Sequence, residues 1–178
     1  HIEKQTSTVN PNSINGENFL LALEIFESTN NLKVSDEIKT KIIEEFPLRY
    51  RGRFNYSDGI LIDGAHNPDG MRVLNSFIRS LDREFDRKIF VLAFLDKDYR
   101  TCLQELFAND VLDINRDMVI LTELDSHRAT PAALVEEYIE ANCLIIHDPY
   151  EAISKAKELK TENDLVVITG SLKLVACT

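Results

Sequence analysis

Cysteine, proline and glycine are all scarce, and each scarcity removes a class of protein. The 178 residues hold three cysteines, Cys102, Cys143 and Cys177, an odd number far apart with no C-x-x-C pair. A disulfide framework, a zinc ribbon and a dithiol redox motif are therefore not expected. The four histidines are equally scattered, none at the three- or four-residue spacing that puts two ligands on one helix face, so no structural metal is expected. Six glycines and five prolines exclude collagen-like and low-complexity chains. No apolar run approaches the roughly 18 residues that span a bilayer. The opening HIEKQTST lacks the apolar centre of a signal peptide, so a cytoplasmic protein without a membrane partner is expected. Basic residues are also few: 20 Lys and Arg against 30 Asp and Glu leave a net charge of -10. That balance argues against nucleic acid as a main partner, because phosphate binding needs clustered cations.

What remains is an ordinary globular mixture, 44% hydrophobic and 28% charged, in a chain long enough to bury roughly two-thirds of its unfolded surface. The chain begins at His1 and residues 1–50 differ in character from the rest, which reads as a piece of a longer protein. From Gly16 to Glu27, Phe19, Leu20, Leu23 and Phe26 recur at helical spacing. Ser35 then caps a second helix from about Asp36 to Phe46, which Pro47 is expected to end.

Beyond Gly52, short apolar runs alternate with amphipathic segments, the pattern of an α/β sheet that is mainly parallel. Strands are expected at Ile60–Ile62, Ile89–Phe94, Met118–Leu121, Leu144–Ile146 and Leu165–Ile168, with an extra edge strand at Phe54–Tyr56. Their apolar character suits strands covered on both faces, and Cys143 is expected in the core. Helices are expected near Pro68–Leu81, Arg100–Phe107, Pro131–Ala141 and Tyr150–Leu159. Asn67 before Pro68 and Thr130 before Pro131 each read as a capping residue with proline at the first helical position. The fold class is thus a Rossmann-like sheet of about six mostly parallel strands, helices on both faces, preceded by a short helical segment.

In such sheets ligands collect at the carboxyl ends of the strands, beside helix N-termini. The first apolar strand runs into Asp63-Gly64-Ala65-His66-Asn67-Pro68, in which Asp63 offers a carboxylate, Gly64 a close backbone approach and His66 a donor to an anion. The same residues also make a good strand-to-helix turn, and spacing alone favours neither reading. The last strand ends in Thr169-Gly170-Ser171-Leu172, a hydroxyl-bearing turn. Asp96-Lys97-Asp98 and Asp125-Ser126-His127-Arg128 follow the middle strands and read as solvated loops. Gly59 to Gly64 has the glycine spacing of a Walker A loop, but Ala65-His66 stands where Lys and Ser or Thr are required; no G-x-G-x-x-G is present either.

DGAHNP after a strand, DKD after the next, RA-x-P before a helix and TGSL near the end resemble, in order and spacing, the C-terminal domain of the folylpolyglutamate synthase/dihydrofolate synthase family of the Mur ligase superfamily. Gly64, where the Mur branch more often has Tyr, points to the folate branch. The resemblance implies that residues 1–50 are the helical end of a central ATPase domain plus linker, and 51–178 the C-terminal ligase domain. It implies ATP- and Mg²⁺-dependent addition of L-glutamate to a folate or folylpolyglutamate through an acyl phosphate, ATP and metal being held mainly by the central domain in the rest of the polypeptide. The isolated piece is then expected to be inactive. Carried over by motif, Asn18 contacts the adenine, Arg53 the ATP phosphates and Asp63 the ribose side, while His66 and Ser171 lie beside the incoming glutamate; Arg53 and His66 are the catalytic candidates. Ile14-Asn15 stands where the family usually has His-Gln, and Lys173 where it usually has an aromatic residue. Dihydrofolate synthase or another Mur-type ligase is the alternative of the same chemistry; a non-catalytic α/β binding module is the alternative of another class.

Overall fold

The computed structural model describes residues 14–49, 52–81, 85–95 and 98–178. Residues 1–50 and 51–178 form two compact units.

The first unit holds α1 (Ile14–Asn30) and α2 (Asp36–Arg49). Asn31, at φ 49°, takes the left-handed position just past α1, and Leu32 N–H reaches back to the Glu27 carbonyl at 3.1 Å. That is a Schellman ending with asparagine in the usual glycine position. The Glu27 carboxylate accepts the Val34 N–H at 2.8 Å and lies 3.6 Å from both Lys33 and Lys39, which ties the linker to the start of α2. Ser35 caps α2 as expected, accepting from Ile38 N–H at 3.4 Å. The expected stop at Pro47 is wrong: α2 runs to Arg49. Proline so near a C-terminus forgoes one helical hydrogen bond rather than several, which the last turn absorbs.

The second unit is one six-stranded sheet with β1 (Asn55–Ser57), β2 (Ile60–Ile62), β3 (Lys88–Leu92), β4 (Met118–Leu121), β5 (Asn142–Ile145) and β6 (Leu165–Thr169), in the spatial order β1-β2-β6-β3-β4-β5. Only β1 is antiparallel, in register Tyr56 to Leu61 with β2; β6 pairs in parallel with both β2 and β3. Period-two alternation splits the strand residues between two cores. Leu61, Phe90, Leu92, Val119, Leu121, Leu165 and Val167 meet α3 (Pro68–Ser80), α4 (Tyr99–Leu106) and the short α5 (Ala132–Glu136) on one face. Ile89, Val91, Ile120, Val166 and Ile168 meet α6 (Pro149–Leu159) and the one-turn α7 (Leu172–Val175) on the other.

The amino ends of the strands are stitched by ion pairs: Lys88 to Asp117 at 2.9 Å and Arg87 to Asp164 at 2.8 Å, both carboxylates 2% exposed. Among the described residues no helix is long and apolar enough to cross a membrane.

Three expectations need correction. The helix expected over Pro131–Ala141 is the five-residue α5, and Thr130 does not cap it: the N-cap is Pro131, and Ala132 N–H is taken instead by Glu123 Oε1 at 2.8 Å, a carboxylate from the preceding loop. β5 is less covered than its apolar sequence suggests, because it is an edge strand whose residues alternate in exposure; Cys143 there is half-buried, its thiol pushed up to about 11 by burial. The third miss is α7, too short to show a helical period.

Gly170, at φ +103°, carries the chain from β6 into α7 directly over β3. A Cβ there meets the Ala93 carbonyl oxygen at 2.4 Å and the Ala93 nitrogen at 3.1 Å. At Gly64 the nearest atom to an added Cβ is Leu172 Cδ2 at 2.3 Å, the tip of a side chain that is 50% exposed and free to swing away. Urea unfolding should therefore show Gly170→Ala losing about 2 kcal/mol or more, and Gly64→Ala losing about 1 kcal/mol or less. Equal losses contradict this account of the corner.

Candidate active site

The order of the strands creates the site. β2 sends its chain to α3 on one face, whereas its neighbour β6 sends its chain to α7 on the other, so the two loops diverge from adjacent carboxyl ends. β3, on the other side of β6, also turns toward α4 on the first face. In open α/β sheets such a divergence marks the place where ligands collect.

Four of the five expected site residues belong to this unit. Arg53 and Asp63 form one construction. The turn before β1 is held in an uncommon backbone shape, with Gly52 at φ 82° and Phe54 at φ 51°. Such a shape persists only where its surroundings over-determine it. Asn55 Oδ1 accepts the N–H groups of Gly52 and Arg53, and Gly64 N–H donates to Gly52 O at 2.8 Å. Asp63, 2% exposed, accepts Phe54 N–H at 3.0 Å on one oxygen and Ala65 N–H at 2.8 Å on the other. Phe54 packs on Phe77 of α3, ring centroids 4.8 Å apart. The turn is thus pinned on three sides, and from it the exposed Arg53 side chain projects.

Burial pushes the Asp63 carboxyl above its ordinary range, against the backbone N–H groups of Phe54 and Ala65 and the nearby Arg53 and His66, all of which favour the charged form.

His66 is half-buried, and its Nδ1 lies 2.7 Å from the Gly64 carbonyl oxygen. A carbonyl only accepts, so Nδ1 carries the hydrogen and donates. In the neutral ring Nε2 is then a bare lone pair, fixed in direction by the bond on the other side. Asn67 caps α3 by accepting Gly70 N–H at 2.8 Å, with Pro68 in the first turn, so the loop ends in a firmly begun helix.

Ser171 is buried and caps α7, its Oγ accepting Lys173 N–H at 3.1 Å. Its loop is bonded to that of His66: Gly170 N–H donates to Ala65 O at 3.0 Å, and Thr169 Oγ1 reaches the same oxygen at 3.4 Å across 104 residues of sequence. His66 and Ser171 therefore share one rim, on neighbouring parallel strands, and each also makes a local bond within its own loop.

Asn18 lies on α1 in the other unit, its side chain outside the described residues, as are Asp96 and Lys97 after β3. Among the described residues no three His, Cys, Asp or Glu side chains converge as a metal site, so Mg²⁺ is assigned no ligands here. Sequence reasoning missed Asn55 and Thr169. Asn55 had no standard signal, because an Asx turn accepts from an N–H two residues later, whereas Asn55 accepts from N–H groups two and three residues earlier; Thr169 had none beyond its place at the end of the last strand.

The profile of the Mur ligase, glutamate ligase domain family matches residues 52–172. Folylpolyglutamate synthase of Lacticaseibacillus casei is 32% identical over 119 residues, which covers 66% of this chain and 25% of that protein. The UDP-N-acetylmuramoyl-L-alanyl-D-glutamate–2,6-diaminopimelate ligase of Clostridium botulinum is 24% identical over 127 residues, covering 66% and 24%. Among solved structures, Escherichia coli FolC in complex with DHPP and ADP superposes with a TM-score of 0.76 at 24% identity, over 89% of this chain and 37% of that one. Folylpolyglutamate synthase of Mycobacterium tuberculosis complexed with ADP gives 0.70 at 25%, over 92% and 38%. The chain thus spans about a quarter of the length of the curated relatives and under two-fifths of these structures.

Asp63→Asn keeps the shape but sets an N–H₂ group, which cannot accept, against one of the two backbone N–H groups, so at acid pH, where the carboxyl's hydroxyl oxygen still accepts, it should destabilise the second unit by about 1–3 kcal/mol. The deficit should depend on pH. A carboxyl whose folded pKa is raised adds stability that is complete below its unfolded value, about 3.9, and is lost as pH rises through the folded value. The gap between wild type and Asp63→Asn should accordingly narrow from pH 4 upward in urea unfolding; a gap that widens with pH contradicts burial as the dominant influence.

Proposed function

Because the chain belongs to the Mur ligase, glutamate ligase domain family, we propose that it is the C-terminal domain, with the helical end of the central ATPase domain, of a cytoplasmic ATP-dependent ligase that adds L-glutamate to a folate. The observation that carries this reading is the parallel pairing of β2 with β6, which sets the loop of His66 against the loop of Ser171 and bonds them through Gly170 N–H and Ala65 O.

In the proposed reaction the γ-phosphoryl group of ATP passes to a folate carboxylate, giving an acyl phosphate and ADP. The glutamate amine then attacks the acyl carbon, the carbon–oxygen bond to phosphate breaks, and phosphate leaves as the amide forms. The attacking nitrogen must lose a proton. The bare Nε2 of His66, aimed by the Gly64 carbonyl, is suited to accept it or to orient the amine. Ser171 Oγ accepts from its own turn and keeps its hydrogen to donate to a substrate carboxylate. Arg53, delivered by the pinned turn, offers a planar fork to the ATP phosphates and to charge developing on the transferred group. Asp63, on the ribose side, holds that turn. Asn18 is assigned to the adenine and Mg²⁺ to the central domain, since no phosphate loop lies in this chain. Dihydrofolate synthase activity is the second reading, kept because the fold also matches Escherichia coli FolC in complex with DHPP and ADP.

In the full-length ligase, Arg53→Ala should reduce kcat/KM by about a hundredfold or more, and Arg53→Lys should recover only part of it, keeping the charge without the fork. Unchanged steady-state kinetics in the alanine variant remove Arg53 from the site.

A further inference from the structure

Three successive backbone N–H groups, those of Gly52, Arg53 and Phe54, each donate to a side chain further along the chain. Asn55 Oδ1 accepts the first two, the Arg53 N–H at 3.4 Å, and an Asp63 oxygen accepts the third at 3.0 Å. The two acceptors stand on paired strands: Asn55 begins β1 opposite Ile62, the residue before Asp63. They divide the work. Asp63 is buried and holds Phe54, whose ring packs on Phe77, whereas Asn55 is half-buried and holds the N–H of Arg53 itself, the residue whose side chain is exposed. Phe54 keeps a left-handed backbone, φ 51°, without being glycine, so the turn holds this shape only while its N–H groups are held. A small tilt of the Arg53 backbone becomes a large displacement at the end of so long a side chain.

We infer that Asn55 is a positioning residue for the ligation reaction: by accepting the Gly52 and Arg53 N–H groups it sets the direction in which the Arg53 side chain leaves the turn. The inference rests on the reading of Arg53 as a phosphate-binding residue above. Positioning of this kind matters most for a planar fork, which must meet phosphate oxygens in one orientation to use its donors in pairs. The fold itself depends little on the same bonds. β1 is the edge strand, and the sheet is closed by β2 and β6, so loss of the Asn55 oxygen releases two N–H groups at the sheet edge while the core stays in place.

The test is a double-mutant cycle in the full-length ligase, with folate and L-glutamate saturating and ATP varied. Asn55→Ala should lower kcat/KM for ATP by about tenfold when Arg53 is present, and by less than about twofold once Arg53 is alanine, because the effect passes through that side chain. Asn55→Asp, which keeps an oxygen facing both N–H groups, should retain more of the wild-type value than Asn55→Ala. If the alanine variant does not fold, the cycle is run with Asn55→Ser, whose shorter side chain cannot reach both groups. Equal losses in the two backgrounds, or no loss when Arg53 is present, overturn the inference and leave Asn55 as a fastener of the turn alone. An Arg53→Ala enzyme with unchanged kinetics is a different result: it removes the phosphate reading of Arg53 itself, and this inference with it.

Discussion

The parallel pairing of β2 with β6 is the contact on which the rest of the second unit depends. Ile60, Leu61 and Ile62 align with Val166, Val167 and Ile168, so the sheet closes the chain on itself across nearly the whole unit. Local propensity does not specify such a long-range pairing. It is specified by burial: both strands are apolar, and β6 lies between β2 and β3 with all five of its residues buried. Gly170 lets that arrangement continue past the sheet, because only a residue without a Cβ passes the Ala93 backbone at this distance. The divergence of the two loops follows from which face each succeeding helix covers.

Charge is distributed unequally between the two ends of the sheet. At the amino ends, Lys88 and Arg87 are neutralised by buried carboxylates and fasten strand starts to the segments before them. At the carboxyl ends the buried carboxylate of Asp63 is spent on backbone N–H groups, while Arg53 and Lys173 are exposed and, among the described residues, without a carboxylate partner. Exposed carboxylates, Asp69, Asp98, Asp125 and Asp148, stand on the same end beside these two cations.

Much of this was legible in the residues. Unbroken apolar runs marked the buried strands, and Asn67-Pro68 marked the start of α3, because each reflects a local energetic requirement: burial on two faces, and an acceptor for an orphan N–H. The candidate loops could be named in advance because ligand positions in a parallel sheet follow from strand direction. Errors arose where a distant group substitutes for a local one. Thr130-Pro131 has the form of a cap, yet Glu123 supplies the acceptor from the preceding loop. The edge position of β5 depends on strand order, which alternating strands and helices do not encode. The role of Asp63 was half legible: its place at a strand end was plain, but the strained turn at Gly52 and Phe54 that it holds is visible only in three dimensions.

The central claim is that one rim, between the ends of β2 and β6, receives the amino-acid substrate. Its most direct test is a crystal structure of the full-length ligase with ADP, Mg²⁺ and L-glutamate. The account predicts glutamate lodged between His66 and Ser171, its amine toward Nε2 and a carboxylate within hydrogen-bonding reach of the Ser171 hydroxyl. Glutamate bound away from this rim, with His66 and Ser171 making only the loop contacts they make here, would contradict it.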